Sequence, residues 1–363
     1  MKAGWQTKPL GDVVSIIKTQ HRNEKPLPYV GMEDIASETG LYLGSLEPKK
    51  VKGGSFRFND QHVLYGRLRP YLNKVLLPDF EGHCSTEVFP LQPTTELDKR
   101  FLFYWLTHSP TVELINSTCT GARMPRANMN GVLELDFSYP PLPEQQRLVT
   151  ILDDAFEGIA TATANAEKNL SNARELFDSY LQNVKAQQEE IGEYVNITTG
   201  KLDSNAAREG GRYPFFTCSK QVFAIDHFAF DSEAILLAGN NASGDFNVKH
   251  YKGKFNAYQR TYVITIRDEA KLLYRYLYFQ MLNSLKSFKR QAVGANTKFL
   301  KLPMIKGLQI PLPSISEQRS IVSTLDNLST ETKQLEGIYQ QKLTAFNELK
   351  KSILHQAFTG QLH

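Results

Sequence analysis

The chain has 363 residues, 41% of them hydrophobic, and 42 Lys and Arg against 38 Asp and Glu, for a formal charge of +4. That length is long for one core and suits two domains with connecting elements. Cys84, Cys119 and Cys218 are an odd number, far apart and without a CxxC, which argues against a disulfide framework or a zinc knuckle. No apolar signal core opens the chain and no run approaches 18 apolar residues, so a cytoplasmic protein with no membrane partner is expected.

Residues 1–143 read as a mixed α/β domain. Leu10 to Ile17, Gln61 to Tyr65 and Glu87 to Leu91 have the alternation of strands, and Phe101 to Ile115 that of an aromatic-rich helix. Tyr139-Pro-Pro-Leu-Pro143 is a stiff stop outside any helix. Residues 144–187 then form one long helix with an apolar seam through Leu148, Leu152, Ala155, Ile159, Ala162, Ala166, Leu170, Ala173, Phe177, Tyr180 and Val184. Steps of four and three with one doubled four give a coiled-coil face carrying one eleven-residue slip.

A second mixed domain occupies 188–313, with strands predicted over Ala234 to Ala238 and Arg260 to Ile266 and an aromatic helix over Lys271 to Phe288. Residues 314–363 repeat the long helix. Adding 173 to each seam position gives Ile321, Leu325, Leu328, Thr332, Leu335, Tyr339, Leu343, Phe346, Lys350, Ile353 and Ala357, nine of them apolar. The same offset joins Glu144-Gln145 to Glu317-Gln318, Gly66 to Gly239 and Gly121-Ala122 to Gly294-Ala295, so domain, proline stop and helix occur twice. Two apolar stripes in one chain bury each other most simply as an antiparallel pair, an α/β fold with a pseudo-two-fold internal repeat. Ser314-Ile-Ser316 is an insertion peculiar to the second copy, so the two joints are expected to differ.

Basic and amide side chains cluster at corresponding places. The first domain carries Lys49, Lys50, Lys52, Arg57, Arg67, Arg69 and Lys74 with a single acid, Asp60, among them, and Tyr71 and Asn73 interleaved. Lys201, Lys220, Asn240, Asn241, Lys252, Lys254, Asn256, Tyr258, Gln259 and Arg260 furnish the second. Beyond the aromatic helices come Arg123, Arg126 and Asn128, and Asn296 and Lys298. Arg and Lys suit guanine, Asn and Gln suit adenine, and surplus cations neutralise phosphates. Duplex DNA is the expected ligand. Catalytic patterns are missing: there is no GxxxxGK[ST], no Asn-Pro-Pro-Tyr type motif, no HExxH and no nucleophile elbow. Readers without chemistry suggest a non-catalytic subunit holding no metal.

Pro-Leu-Pro followed by Glu-Gln-x-x-(Leu/Ile)-Val-x-x-Leu-Asp at 141–153 and 311–326, the repeated helices and the terminal Leu354-His-Gln-Ala-Phe-Thr-Gly-Gln-Leu362 resemble the specificity subunit of type I restriction-modification systems. Leu68-Arg-Pro-Tyr-Leu-Asn-Lys74 and Phe255-Asn-Ala-Tyr-Gln-Arg-Thr-Tyr-Val263 look similar as well. The resemblance implies two target recognition domains, each reading half of a split asymmetric site, with the helix pair setting the unread gap. It implies partners too: two DNA methyltransferase subunits carrying S-adenosylmethionine, and motor-nuclease subunits using ATP and Mg²⁺, with none of these cofactors on this chain. A methylation-only complex, or a protein-interaction scaffold with incidental basic loops, are the alternatives.

Overall fold

The structure, a computed structural model, describes residues 4–22, 25–121 and 123–362, apart from the side chains of Arg174, Phe177 and Asp178. Ala122 and the Phe177 side chain therefore lie outside what is described. Two compact units divide the chain, one comprising 1–165 and 341–363, the other 166–340.

In the first unit, a four-stranded sheet runs in the order Val14–Ile16, Val88–Pro93, Val63–Gly66, Val75–Leu76, all antiparallel, and a three-stranded sheet runs Tyr29–Val30, Gly82–Ser85, Ser55–Phe58. Helices α1 (Lys99–Thr107), α2 (Ser109–Ser117) and α3 (Met129–Leu133) follow. Where one helix was expected from Phe101 to Ile115, the chain breaks at His108. Pro110 has no N–H to give to the Leu106 carbonyl, so α1 cannot run through it, whereas in the first turn of α2 that N–H is not needed; His108 between the two helices is extended, at φ −67° and ψ 127°. Leu10–Asp12 is likewise a 3₁₀ turn, with the strand beginning only at Val14.

Helix α4 (Leu142–Gln182) starts earlier than expected. Leu142 and Pro143 belong to its first turn, where a proline loses no hydrogen bond because those N–H groups have no partner in any helix. The strand just before it, Asp136–Tyr139, pairs antiparallel with Gln6–Pro9 and so ties the end of the domain to its beginning.

The second unit is built around a six-stranded sheet in the order Val195–Thr199, Thr261–Ile266, Phe230–Ala238, Val248–Ala257, Tyr213–Phe216, Phe223–Ile225. Helix α5 (Tyr274–Gln291) buries Tyr276, Leu277, Met281 and Phe288 with Ile235, Leu237 and Ile264 of that sheet. The short α6 (Leu302–Lys306) leads to Gln309–Pro311, which pairs with Gln188–Glu190 as Asp136–Tyr139 pairs with Gln6–Pro9. Helix α7 (Ile315–Thr359) closes the chain.

Both long helices contribute to both units, and in each unit the beginning of one meets the end of the other. In the first, Lys350 lies over the Phe156 ring and Arg147 donates to the Leu362 carbonyl, so the helices run antiparallel; Leu148, Val149 and Leu152 share a core with Leu354 and Ala357. In the second, Leu181 is buried with Leu325 and Phe279. Along the seam Leu148, Leu152, Ala166 and Leu325 are buried, Ile159, Leu170, Tyr180, Ile321, Tyr339, Phe346 and Ile353 are half-buried, and Leu335 is 37% exposed. Leu181 and Leu354, off the predicted seam but 173 apart like its members, are both buried because each reaches its own domain.

The two joints are alike despite the inserted residues. Gln145 is fully buried; its Oε1 accepts from the Asp98 N–H at 2.8 Å and its Nε2 donates to the Glu96 and Pro140 carbonyls at 2.9 Å each. Gln318, also fully buried, accepts from the Leu273 N–H at 3.0 Å and donates to the Lys271 and Pro313 carbonyls at 2.9 Å each. Asp98 and Leu273 are the residues that open α1 and α5, so each glutamine holds the head of its domain's aromatic helix. Two residues on, Arg100 pairs with Asp153 at 2.7 Å and Arg275 with Asp326 at 2.5 Å. The expected difference between the joints is thus corrected: Ser314 caps α7 through Glu317, and the extra residues are absorbed before the clamp.

Candidate nucleic-acid interface

A shared backbone platform stands in both units. In the first, the chain leaving Val63–Gly66 lies against a returning loop: the Ala127 N–H donates to the Arg67 carbonyl, the Arg69 N–H to the Pro125 carbonyl, and Leu68 bridges Arg126. In the second, Leu300 donates to the Gly239 carbonyl, Asn240 pairs with Phe299, and Asn241 pairs with Lys298. The returning loops close alike, by the bridges Thr120 to Arg126 and Val293 to Phe299. Gly121 and Gly294 sit in them at φ +89° and +118°, a left-handed region that side chains disfavour. One scaffold therefore offers two sets of side chains.

On the first platform, Glu87 holds two arginines. Its Oε2 accepts from Arg67 Nε at 3.0 Å and its Oε1 from Arg126 Nε at 2.9 Å. Arg67 also lies over the Phe89 ring, 5.0 Å from its centroid. Arg69 at φ +52° and Asn73 at φ +48° are left-handed, and the 3₁₀ turn Pro70–Leu72 between them holds Tyr71 51% exposed. Arg69 and Arg123 are exposed.

On the second platform, Arg260 lies over Phe299, 5.3 Å from its centroid, and the Asn241 side-chain oxygen accepts from the N–H groups of Ser243 and Asp245. Lys220 pairs with Asp245 at 2.9 Å, and that bond, with Lys289 nearby, holds the Asp245 carboxyl below its usual range. Gln259, Arg260, Asn296 and Lys201 are exposed, and Tyr258 and Lys298 half-buried.

Several expected contacts go elsewhere. Asn256 is 2% exposed, its amide bonded to the His227 carbonyl and the Ala257 N–H, so no groove can reach it. Asn73 donates to the Thr107 carbonyl and Lys74 to the Met32 carbonyl, bonds that fix the turn. Asn128 caps α3 by accepting from the Asn130 and Gly131 N–H groups. Arg57 pairs with Glu81 at 2.6 Å, and exposed Lys49 lies over Tyr29, beside exposed Lys50 and Lys52 on the approach to Ser55–Phe58. Lys252 pairs with Glu233 across the sheet and Lys254 lies over Phe228. Burial opposes ionisation of Glu233, yet Lys252 and His250 hold its carboxyl below the usual range. Glu87, Phe89 and Phe299 escape a search for basic and amide residues, because an acid and two phenylalanines carry none of the charge it seeks.

Residues 2–170 and 183–345 match the family described as type I restriction modification DNA specificity domain, and the chain belongs to that family. The specificity subunit of the type I restriction enzyme EcoDI from Escherichia coli is 38% identical over 173 residues, which is 48% of this chain and 38% of that one. A putative specificity subunit from Haemophilus influenzae is 23% identical over 46% of this chain and 43% of its own length, so the matches to both relatives span less than half of each. The putative MjaX specificity subunit of Methanocaldococcus jannaschii is 21% identical over 99% of this chain and 93% of its own. Among solved structures, one described as showing complex assembly and conformational transition of the type I R-M system superposes with a TM-score of 0.78 over 99% of this chain and 98% of that one, at 19% identity. The HsdS subunit from Thermoanaerobacter tengcongensis gives 0.60 over the same shares at 18% identity. These two likenesses show the fold.

Proposed function

We propose that this chain is the DNA-recognition subunit of a type I restriction-modification complex and performs no chemistry of its own. Each domain reads one half of a bipartite asymmetric duplex site through its platform. The observation that carries this reading is the repeated platform: the same pairing of backbone segments bears Arg67, Arg69 and Arg126 in one unit and Asn240, Asn241 and Lys298 in the other, with Arg260 lying over Phe299 beside them. Identical scaffolds with different donors are what reading two unlike half-sites requires. The long helices, of 41 and 45 residues, hold the domains and dock two methyltransferase subunits, and at about 1.5 Å per residue they supply rods of roughly 60 Å to set the unread gap. S-adenosylmethionine belongs to those subunits, and ATP and Mg²⁺ to the motor-nuclease subunits.

The test assembles the chain with its methyltransferase partners and maps methylation across a genome. A split motif is expected; exchanging residues 188–313 for those of a relative should change one half alone. Deleting about four residues from both helices should shorten the gap with both halves intact. Methylation without sequence preference, or one continuous motif, would refute the reading. A scaffold would instead show no salt-dependent duplex binding by the complex.

A further inference from the structure

An acid within a DNA-facing basic cluster repels phosphate, so Glu87 needs a reason to be there. It engages Arg67 and Arg126 only through Nε, one on each carboxylate oxygen. The pairs at the joints differ: Arg100 commits an Nη to Asp153, and Arg275 commits Nε and an Nη to Asp326. The Nη groups of Arg67 and Arg126 make no hydrogen bond among the described residues, apart from one long contact of 3.4 Å from Arg126 Nη1 to the Met124 carbonyl. A bidentate fork to guanine O6 and N7 can be formed by those two Nη groups. Arg67 is fixed further by Phe89 beneath it, and Arg126 by its backbone pairing with Thr120. The side chains are 31% and 38% exposed, that of Glu87 23%. One carboxylate against two guanidiniums leaves the trio net positive.

We propose that Glu87 is a positioning residue for specificity: it presents the guanidinium forks of Arg67 and Arg126 as two guanine readers in the half-site read by the first domain. This rests on the DNA-recognition reading above. A guanidinium on a flexible stem pairs with whatever acceptor is near; two held by one carboxylate have lost that freedom before DNA arrives, so the ordering penalty of binding is smaller. Glutamine at this position keeps the size but offers one acceptor oxygen, and its amide N–H faces the second Nε–H, so one arginine is released.

The experiment uses the complete chain assembled with its methyltransferase partners. Methylation rates are measured on duplexes in which each base pair of the site is changed singly. Arg67→Lys and Arg126→Lys, which keep the charge and lose the fork, should each lower discrimination about tenfold or more at one G·C position. Glu87→Gln should lower it at one or both of those same positions and leave the other half-site unchanged. Binding to unrelated duplex should hold or tighten, since a negative charge is gone. A purely structural Glu87 would instead lower the melting temperature and weaken all positions equally, and that result overturns the proposal, as does full discrimination retained in Glu87→Gln. Should Glu87→Gln not fold, Glu87→Asp, whose shorter arm cannot span both Nε atoms, is read in the same way. If the unaltered complex itself shows no preference, the DNA-recognition reading has failed; preference in it with no change in the variants sinks the positioning role alone.

Discussion

Replacing Gln145 by alanine isolates the contribution of the joint between the first domain and its helix. The side chain is fully buried and makes three hydrogen bonds of 2.8 to 2.9 Å, all to main-chain groups. A typical protein hydrogen bond is worth about 1 kcal/mol net, and a buried partner left unsatisfied costs about 1 to 3 kcal/mol. Three such groups put the loss at about 3 to 5 kcal/mol, with the Asp98 N–H at the head of α1 the most exposed to the damage. At about 1.4 kcal/mol per factor of ten, the folding equilibrium of that unit shifts by two orders of magnitude or more. Urea unfolding of the intact chain, followed by Trp5 and Trp105 fluorescence, reports on this unit, because both tryptophans lie in it. The adjacent Gln146 is exposed, and Gln146→Ala should move stability by less than about 0.5 kcal/mol. Gln145→Glu should do at least as much harm as alanine, since an acceptor would face the Glu96 and Pro140 carbonyls. A Gln145→Ala loss below about 1 kcal/mol would refute the argument that the clamp secures the joint.

Leu325→Ala, at a fully buried position, should cost about 2 to 5 kcal/mol in thermal or urea unfolding, while Leu335→Ala, 37% exposed, should cost well under 1. Arg275 and Asp326 are 37% and 42% exposed, so a double-mutant cycle should return a coupling of at most about 1 kcal/mol despite the short contact. Burial holds the Lys350 ammonium below its ordinary value, with Glu38 opposing the shift. The folded state thus releases this proton at lower pH than the unfolded chain, and stability should rise with pH in the window just below 10.5; Lys350→Met should remove that rise and stabilise the protein at neutral pH. Gln259→Ala, at an exposed position, should relax preference at one base pair of the second domain's half-site by about 1 to 3 kcal/mol in a duplex-substitution series, whereas equal loss on every sequence would mark a phosphate contact.

The long helices were legible because an apolar seam sustained over many turns matches the helical period and no strand or loop pattern, and the internal offset doubled that information. The first turn of α4 was misjudged for the opposite reason: Leu142-Pro143 looks like a breaker unless the position is known to be the start of a helix, where proline fits. Leu181 and Leu354 escaped because each packs on a domain core as well as on the opposing helix, and periodicity alone does not tell one apolar neighbour from another. The site was legible only as a region. Composition cannot separate Arg69, which is exposed, from Lys74, whose ammonium is bound to the Met32 carbonyl, since both carry the same charge on neighbouring stretches. Asn256 shows the same limit, an amide absorbed by the fold. Glu87 was invisible because its significance lies in what it holds.

The atoms that Gln145 and Gln318 grip are carbonyls and amide hydrogens, and every residue type supplies those except for the proline hydrogen. A socket of that kind makes no demand on the identity of the residues that form it. Lineages could replace nearly the whole face of either head, and with it the message each one deciphers, while the fastening to the rod stayed as it was. Diversification of what is read is thereby uncoupled from the mechanics of how the reader is mounted.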